Sequence, residues 1–188
     1  MIEQVLIAGF GGQGIMSTGQ LLAYAGMMEG KHVAWIPSYG PEMRGGTANC
    51  GVTVSDTEIS SPLVTEPTAL IVMNHPSLEK FEKTVLPGGI ILTNSSLVHR
   101  VSRRSDLGFL AVPANEIAEE LGNVRIAANV VLGVFIGYSG AVNTEAAVAA
   151  LEKVLPARRH KLIPMNKAAL ERGAALGLAY RREKAAYG

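Results

Sequence analysis

Apolar and polar positions follow two rhythms along this chain. Short continuous apolar runs end at Gly, Pro or Asn, and longer stretches with helical spacing lie between them. "QVLIAG", "KHVAWIP", "ANCGVTVS", "TALIVMN", "GGIILTN" and "GFLAVP" predict six strands. Pro37 is expected to stop the second, and the third is expected to pair with the segment around Ile59. "GIMSTGQLLAYAGMMEG", closed by Gly30, and "PSLEKFEKTVL", with Pro76 near its start, predict the intervening helices. The C-terminal third changes character. "PANEIAEELG", "NVRIAANVVLGVFIGYSGAV", "NTEAAVAALEKVL" and "MNKAALERGAALGLAYRREKAAY" all carry helical spacing, with Asn143 or Thr144, and Asn166, as expected N-caps. The pattern predicts an α/β fold in three layers: a mostly parallel sheet, helices on both faces, and a helical C-terminal third. No repeat, linker or low-complexity segment divides it, so residues 1–188 are expected to form one domain.

Two stretches carry no charge. Gly14 to Met28 is one; Ile126 to Thr144, with Gly133-x-x-x-Gly137, is the other. A helix with a wet face normally shows charge on it. Asn129, Tyr138 and Ser139 interrupt the second run, which argues against a membrane span. Burial on all sides, or contact with another subunit, is expected instead.

Composition narrows the class. Nearly half the 188 residues (48%) are hydrophobic, enough for a substantial core. Seventeen basic against 16 acidic residues leave no electrostatic footprint for nucleic acid. "MIEQVLIAGF" lacks the features of a secretory signal, so a cytoplasmic location is expected. Cys50 is the single cysteine and lies in a predicted strand. One thiol makes no internal disulfide and supplies too few thiolates for an iron–sulfur cluster. It has no adjacent basic residue and reads as a buried, inert thiol.

The candidate chemistry lies in two glycine-rich stretches. Gly9, Gly11 and Gly14 form G-x-G-x-x-G between a strand and a helix, with Gly12 and Gln13 inside it. Such a turn lets backbone N–H groups approach a pyrophosphate at a helix N-terminus. A dinucleotide site also needs an acid at the end of the second strand, and Trp35, Ile36 and Pro37 stand there. Two readings stay open: a self-contained Rossmann-like oxidoreductase with an incomplete nucleotide site, or a turn that only packs strand against helix. The second stretch, "SYGPEMRGGTANC", holds Ser38, Tyr39, Gly40, Pro41, Glu42, Arg44, Gly45, Gly46 and Asn49. Arg44 suits bidentate contact with a carboxylate or phosphate. Alternatively, a Glu42–Arg44 pair only orders the loop. Both stretches follow strands, as do Asn74, Asn94 to Ser96 and Asn115, so all should reach the carboxyl edge of the sheet, where α/β folds bind ligands. Only five charged residues occur in the first 50, so that rim suits a protein surface or a cofactor held by one. His32, His75, His99 and His160 show no metal-ligand spacing, and no catalytic constellation appears. "RVSRRSD", Arg100 to Asp106, reads as a solvated loop.

Taken in order, "GFGGQG", "SYGPEMRGGTANC", "SDTEISSP", "MNHPSLEKF" and "PGGIILTNSS" resemble the gamma subunit of the 2-oxoacid:ferredoxin oxidoreductases. The resemblance continues through "ANVVLGVFIGY" and "PMNKAALERGAALG". The wording is most similar to 2-oxoglutarate members, with branched-chain 2-oxoacid members harder to exclude. The resemblance implies a complex that decarboxylates a 2-oxoacid and passes the acyl group to coenzyme A, giving succinyl-CoA and CO2 from 2-oxoglutarate. It implies thiamine diphosphate, Mg2+ and iron–sulfur clusters in that complex, with none of them held by this chain. It implies alpha and beta thiamine-binding subunits, a ferredoxin-like delta subunit, and ferredoxin or another acceptor as partners. The glycine turn, Ser38 to Gly46, Asn49 and Asn74 become candidates for coenzyme A contacts or subunit interface. A purely structural subunit is the remaining alternative.

Overall fold

The computed structural model describes residues 1–38 and 47–187. Its sheet has six strands: β1 (Ile2–Phe10), β2 (His32–Ser38), β3 (Thr47–Ser55), β4 (Ala69–Val72), β5 (Ile90–Asn94) and β6 (Gly108–Val112). They lie in the order β2-β3-β1-β4-β5-β6. The β1–β4, β4–β5 and β5–β6 pairs are parallel. This matches the expected, mostly parallel α/β sheet. β4 and β5 are buried along their whole length, as their unbroken apolar sequences require.

β3 departs from expectation. It runs antiparallel between β1 and β2, and the segment around Ile59 forms no strand. Nine residues of β3 match the nine of β1, from Ile2 opposite Ser55 to Phe10 opposite Thr47. A partner of that length outcompetes a short polar segment. β2 also continues through Pro37 to Ser38. It is an edge strand, where a missing N–H is tolerated.

The helices load the two faces unequally. α1 (Ile15–Met28), α3 (Ala114–Glu120), α4 (Ala127–Ser139), α5 (Thr144–Val154) and α6 (Ile163–Tyr187) pack against one face. That core includes Ile7, Cys50, Val52, Ile71 and Leu92. α2 (His75–Phe81) covers the other face with Val85 and Val98, over Leu6, Leu70, Val72 and Ile91. The "RVSRRSD" run is largely exposed, as expected, but Arg100 and Arg104 within it are half-buried and bonded. Arg100 pairs with Glu82, while Arg104 Nη1 donates to the Glu82 and Val85 carbonyls and its Nε to Asp106. These bonds hold the segment after β5 down on the smaller core.

The uncharged 126–144 stretch is explained by α4. Its Gly133 and Gly137 face Gly173 and Gly177 of α6. A Cβ at Gly177 would lie 2.8 Å from Tyr138 N, and one at Gly137 would lie 2.8 Å from the Ala174 carbonyl carbon. Those neighbours are backbone and cannot turn aside, so only glycine permits this approach. Val130 packs on Gly173 and Val134 on Gly177, so the two helices run parallel in a constant register. Among the described residues no helix is long and apolar enough to cross a membrane. α6 begins at Ile163, three residues before the expected cap Asn166, which instead lies inside the helix. Asn166 Nδ2 donates to Leu162 O (2.8 Å) and its Oδ1 accepts from Asn129 Nδ2 (2.6 Å).

Gly137→Val should lower unfolding free energy by about 3 kcal/mol or more, because the added atoms meet backbone. Ala175→Val on the exposed side of α6 should change it by less than about 0.5 kcal/mol. Urea unfolding followed by circular dichroism checks both.

Candidate functional site

The site is built at the carboxyl edge of the sheet. β2 runs parallel to β1 because each is antiparallel to β3. Phe10 therefore ends beside Thr47, and Ser38 beside Asn49. Both glycine stretches leave the sheet on one edge, as expected. Tyr39, Gly40, Pro41, Glu42, Arg44, Gly45 and Gly46 lie outside the described residues.

The first turn is held by Gln13. Its Oε1 accepts from Phe10 N (2.7 Å) and its Nε2 donates to Met73 O (3.1 Å), tying the turn to the end of β4. Gly12 and Gly14 have φ of 92° and 81°, the left-handed region that favours glycine. Gly9 is packed against Gln13, Ile15 and Met73, which leave no room for a side chain. Gly14 is the N-cap of α1 and offers no side-chain cap, and the first turn carries no acid. The N–H groups of this helix end are left for water or a ligand.

Two cavities flank that helix end. One, of about 430 Å³, is lined by Phe10, Gly11, Gly12, Gly14, Ile15, Met16, Ser17, Gln20, Ser38, Thr47 and Ala48. Among the described residues its lining is apolar or uncharged. The other, of about 540 Å³, lies behind the turn between α1, α4, α5 and the start of α6. Thr18, Asn129 and Asn166 lie on its floor, and Arg125 and Arg159 line it. Arg125 and Arg159 were not among the expected site residues. The basic run "ARRHK" at 157–161 was the available signal. A larger cavity, about 580 Å³, lies at the opposite edge, by Thr68, Gly88, Tyr138 and Arg181, remote from every expected site residue.

The remaining expected residues have structural partners. Asn74 caps α2, its Oδ1 accepting from Ser77 N (2.8 Å), and it is buried. Asn49 alternates with Cys50 and so faces the side of the sheet opposite α1. Asn94 Nδ2 donates to Asn115 Oδ1 (2.9 Å), and Asn115 N donates to Ser96 Oγ (3.1 Å). His75 begins α2 and faces Glu79. The inserted β3 also bears on the nucleotide reading. It displaces the end of β2 from β1 by two strand spacings, about 10 Å, so no acid there could serve a ribose on the glycine turn.

Cys50 is fully buried and its Sγ faces Ile15 O at 3.5 Å. Burial pushes its thiol up to about 12, partly offset by the neighbouring Trp35 indole. It does not fit a cluster ligand, which must be a thiolate. Among the described residues no group of three or more His, Cys, Asp or Glu is placed to hold a metal ion.

Comparison with known proteins bears on this arrangement. The family described as pyruvate ferredoxin/flavodoxin oxidoreductase matches residues 4–176. This chain belongs to that family. The family relatives include ketoisovalerate oxidoreductase subunit VorA of Methanothermobacter thermautotrophicus, 42% identical over 91% of this chain and 35% of that protein. The chain thus spans about a third of the length of that relative. 2-Oxoglutarate synthase subunit KorC of the same organism is 32% identical over 82% of this chain and 85% of that subunit. The fold is similar to the gamma subunit of a keto/oxoacid ferredoxin oxidoreductase from Geobacter sulfurreducens, with a TM-score of 0.81. That likeness carries 27% identity and covers 94% of this chain and 99% of that one.

The thiol makes a pH prediction. Below pH 9, its ordinary value, Cys50 is protonated in both states; above it only the unfolded chain ionises. Its contribution to stability is therefore present below pH 9 and lost as pH rises toward about 12. Between pH 9 and 11 the wild-type chain should lose about 1.4 kcal/mol per pH unit more than Cys50→Ala does. Urea unfolding of both across that range measures the difference.

Proposed function

We propose that this chain acts as the gamma subunit of a 2-oxoacid:ferredoxin oxidoreductase complex that makes an acyl-CoA and CO2. Residues 1–188 form one gamma-type domain in this reading. The observation that carries it is the uncapped N-terminus of α1, opening into a cavity whose lining among the described residues is apolar or uncharged. Such a site suits holding part of a ligand. Thiamine diphosphate with Mg2+ would supply the decarboxylation, in alpha and beta subunits. Iron–sulfur clusters would carry electrons to ferredoxin or another acceptor, through a ferredoxin-like delta subunit.

Coenzyme A fits the residues present. Backbone N–H groups of the turn and the positive end of α1 suit its diphosphate. Phe10, Ile15, Met16 and Ala48 give the same cavity an apolar wall for its uncharged arm. Gln13 braces the turn, and Gly12 and Gly14 let the backbone come close. The 2-oxoacid is proposed from the relatives. Identity of 42% to a ketoisovalerate subunit, against 32% to a 2-oxoglutarate subunit, supports a branched-chain substrate ahead of 2-oxoglutarate.

Purification at native level should bring down thiamine-binding and cluster-bearing chains, and the complex should oxidise 2-oxoisovalerate faster than 2-oxoglutarate. A chain that elutes alone with a bound nucleotide would sink the subunit reading. In the complex, Ser17→Asp sets a carboxylate at the end of α1. The field at a helix N-terminus is worth about 1 kcal/mol, so the KM for coenzyme A should rise about fivefold while that for the 2-oxoacid stays constant.

A further inference from the structure

The cavity of about 540 Å³ behind the glycine turn is left unused by the function proposed above. We propose that it is a phosphate-binding site in its own right, with Arg125 and Arg159 as its ligands.

Charge is the first argument. Arg125 and Arg159 both line the cavity, and among the described residues no Asp or Glu does. Neither guanidinium has a carboxylate partner among the described residues, whereas Arg100, Arg104 and Arg172 each do. An anion in a cavity lined by both guanidiniums is attracted by each. Two forks of N–H donors match the oxygens of a phosphate.

The floor is the second argument. Thr18 and Asn166 are buried side chains that line the cavity, and Asn129 joins them. Thr18 Oγ1 lies 3.4 Å from Asn129 Oδ1, which is followed by the Asn129–Asn166 bond. Asn166 Nδ2 uses one N–H on Leu162 O and keeps a second. A polar floor of this kind suits a hydrogen-bonding ligand better than an apolar one.

The fold adds a field. α4 and α6 run parallel, so their N-termini fall at the same end, and Gly14 of α1, Ile126 before α4 and Leu162 before α6 all line this cavity. α1, α4 and α6 carry no acid in their first turns, and α1 has no side-chain cap. The positive end of α1 reinforces the two arginines.

Phosphate can come from two sources, the nucleotide end of coenzyme A or a separate nucleotide or free polyphosphate. Gly12, Gly14 and Ser17 line both cavities, so one long ligand could span them. The test is calorimetric titration of the full 188-residue chain, alone and in its complex, with inorganic pyrophosphate, ATP and adenosine 3′,5′-bisphosphate. Arg125→Gln with Arg159→Gln should weaken the tightest of these at least tenfold, since two charge-assisted contacts are lost. Arg182→Gln, on the exposed end of α6, should change it less than twofold. Both exposed arginines are expected to tolerate glutamine, and an unchanged circular dichroism melt confirms that the fold survives. Tightest binding of the bisphosphate assigns the site to coenzyme A; tightest binding of pyrophosphate or ATP assigns it to a separate ligand. No binding at millimolar concentration, or equal loss in all variants including Arg182→Gln, would overturn the proposal. Binding by a chain that forms no complex would keep this site while removing the subunit reading.

Discussion

The glycine crossing of α4 and α6 is the constraint from which the larger half of this structure follows. Four glycines let two backbones meet with no side chain between them. The gain is not the glycines' own burial but what the closeness permits. Polar groups at the start of both helices come within bonding distance, as in the Asn129–Asn166 pair. α4, wrapped by α1, α3, α5 and α6 on one side of the sheet, becomes uncharged because no part of it has water to face. A single methyl group at the crossing would push α6 outward and take Asn166 with it.

The same crossing organises the candidate site. Because α4 and α6 are parallel, their N-termini point the same way, toward the uncapped end of α1. The starts of both helices and the two arginines are thus gathered behind the glycine turn, while the other cavity lies in front of it. The turn is itself rigid. Gln13 bonds to both Phe10 and Met73, so its donors are positioned before any ligand arrives. A site of this sort contributes binding and orientation.

The legible part of this molecule was its local pattern. Strands such as "TALIVMN" and "GGIILTN" are buried on both faces, so their apolar runs are unbroken and easy to read. Gly30 and Pro76 marked helix ends because a left-handed glycine and a proline in the first turn are local devices. The glycine turn was visible for the same reason. Asn166 misled because its bonds are to Asn129 and Leu162, not to its own helix start. The "RVSRRSD" run is exposed as its composition suggested, but the carbonyls that receive Arg104 come from a distant turn and could not be read from it.

By itself, the sequence determined the α/β class, the positions of the elements, the buried state of Cys50 and the family, since each depends on residues near one another or on an ordered set of motifs. Tertiary structure alone decided that β3 enters the sheet antiparallel beside β1, because pairing is a competition between distant segments. It also decided that Gly133 and Gly137 meet Gly173 and Gly177, and that Arg125 and Arg159 share a cavity. Those two arginines lie 34 positions apart in sequence, and only the parallel packing of the helices that follow them places both on one cavity.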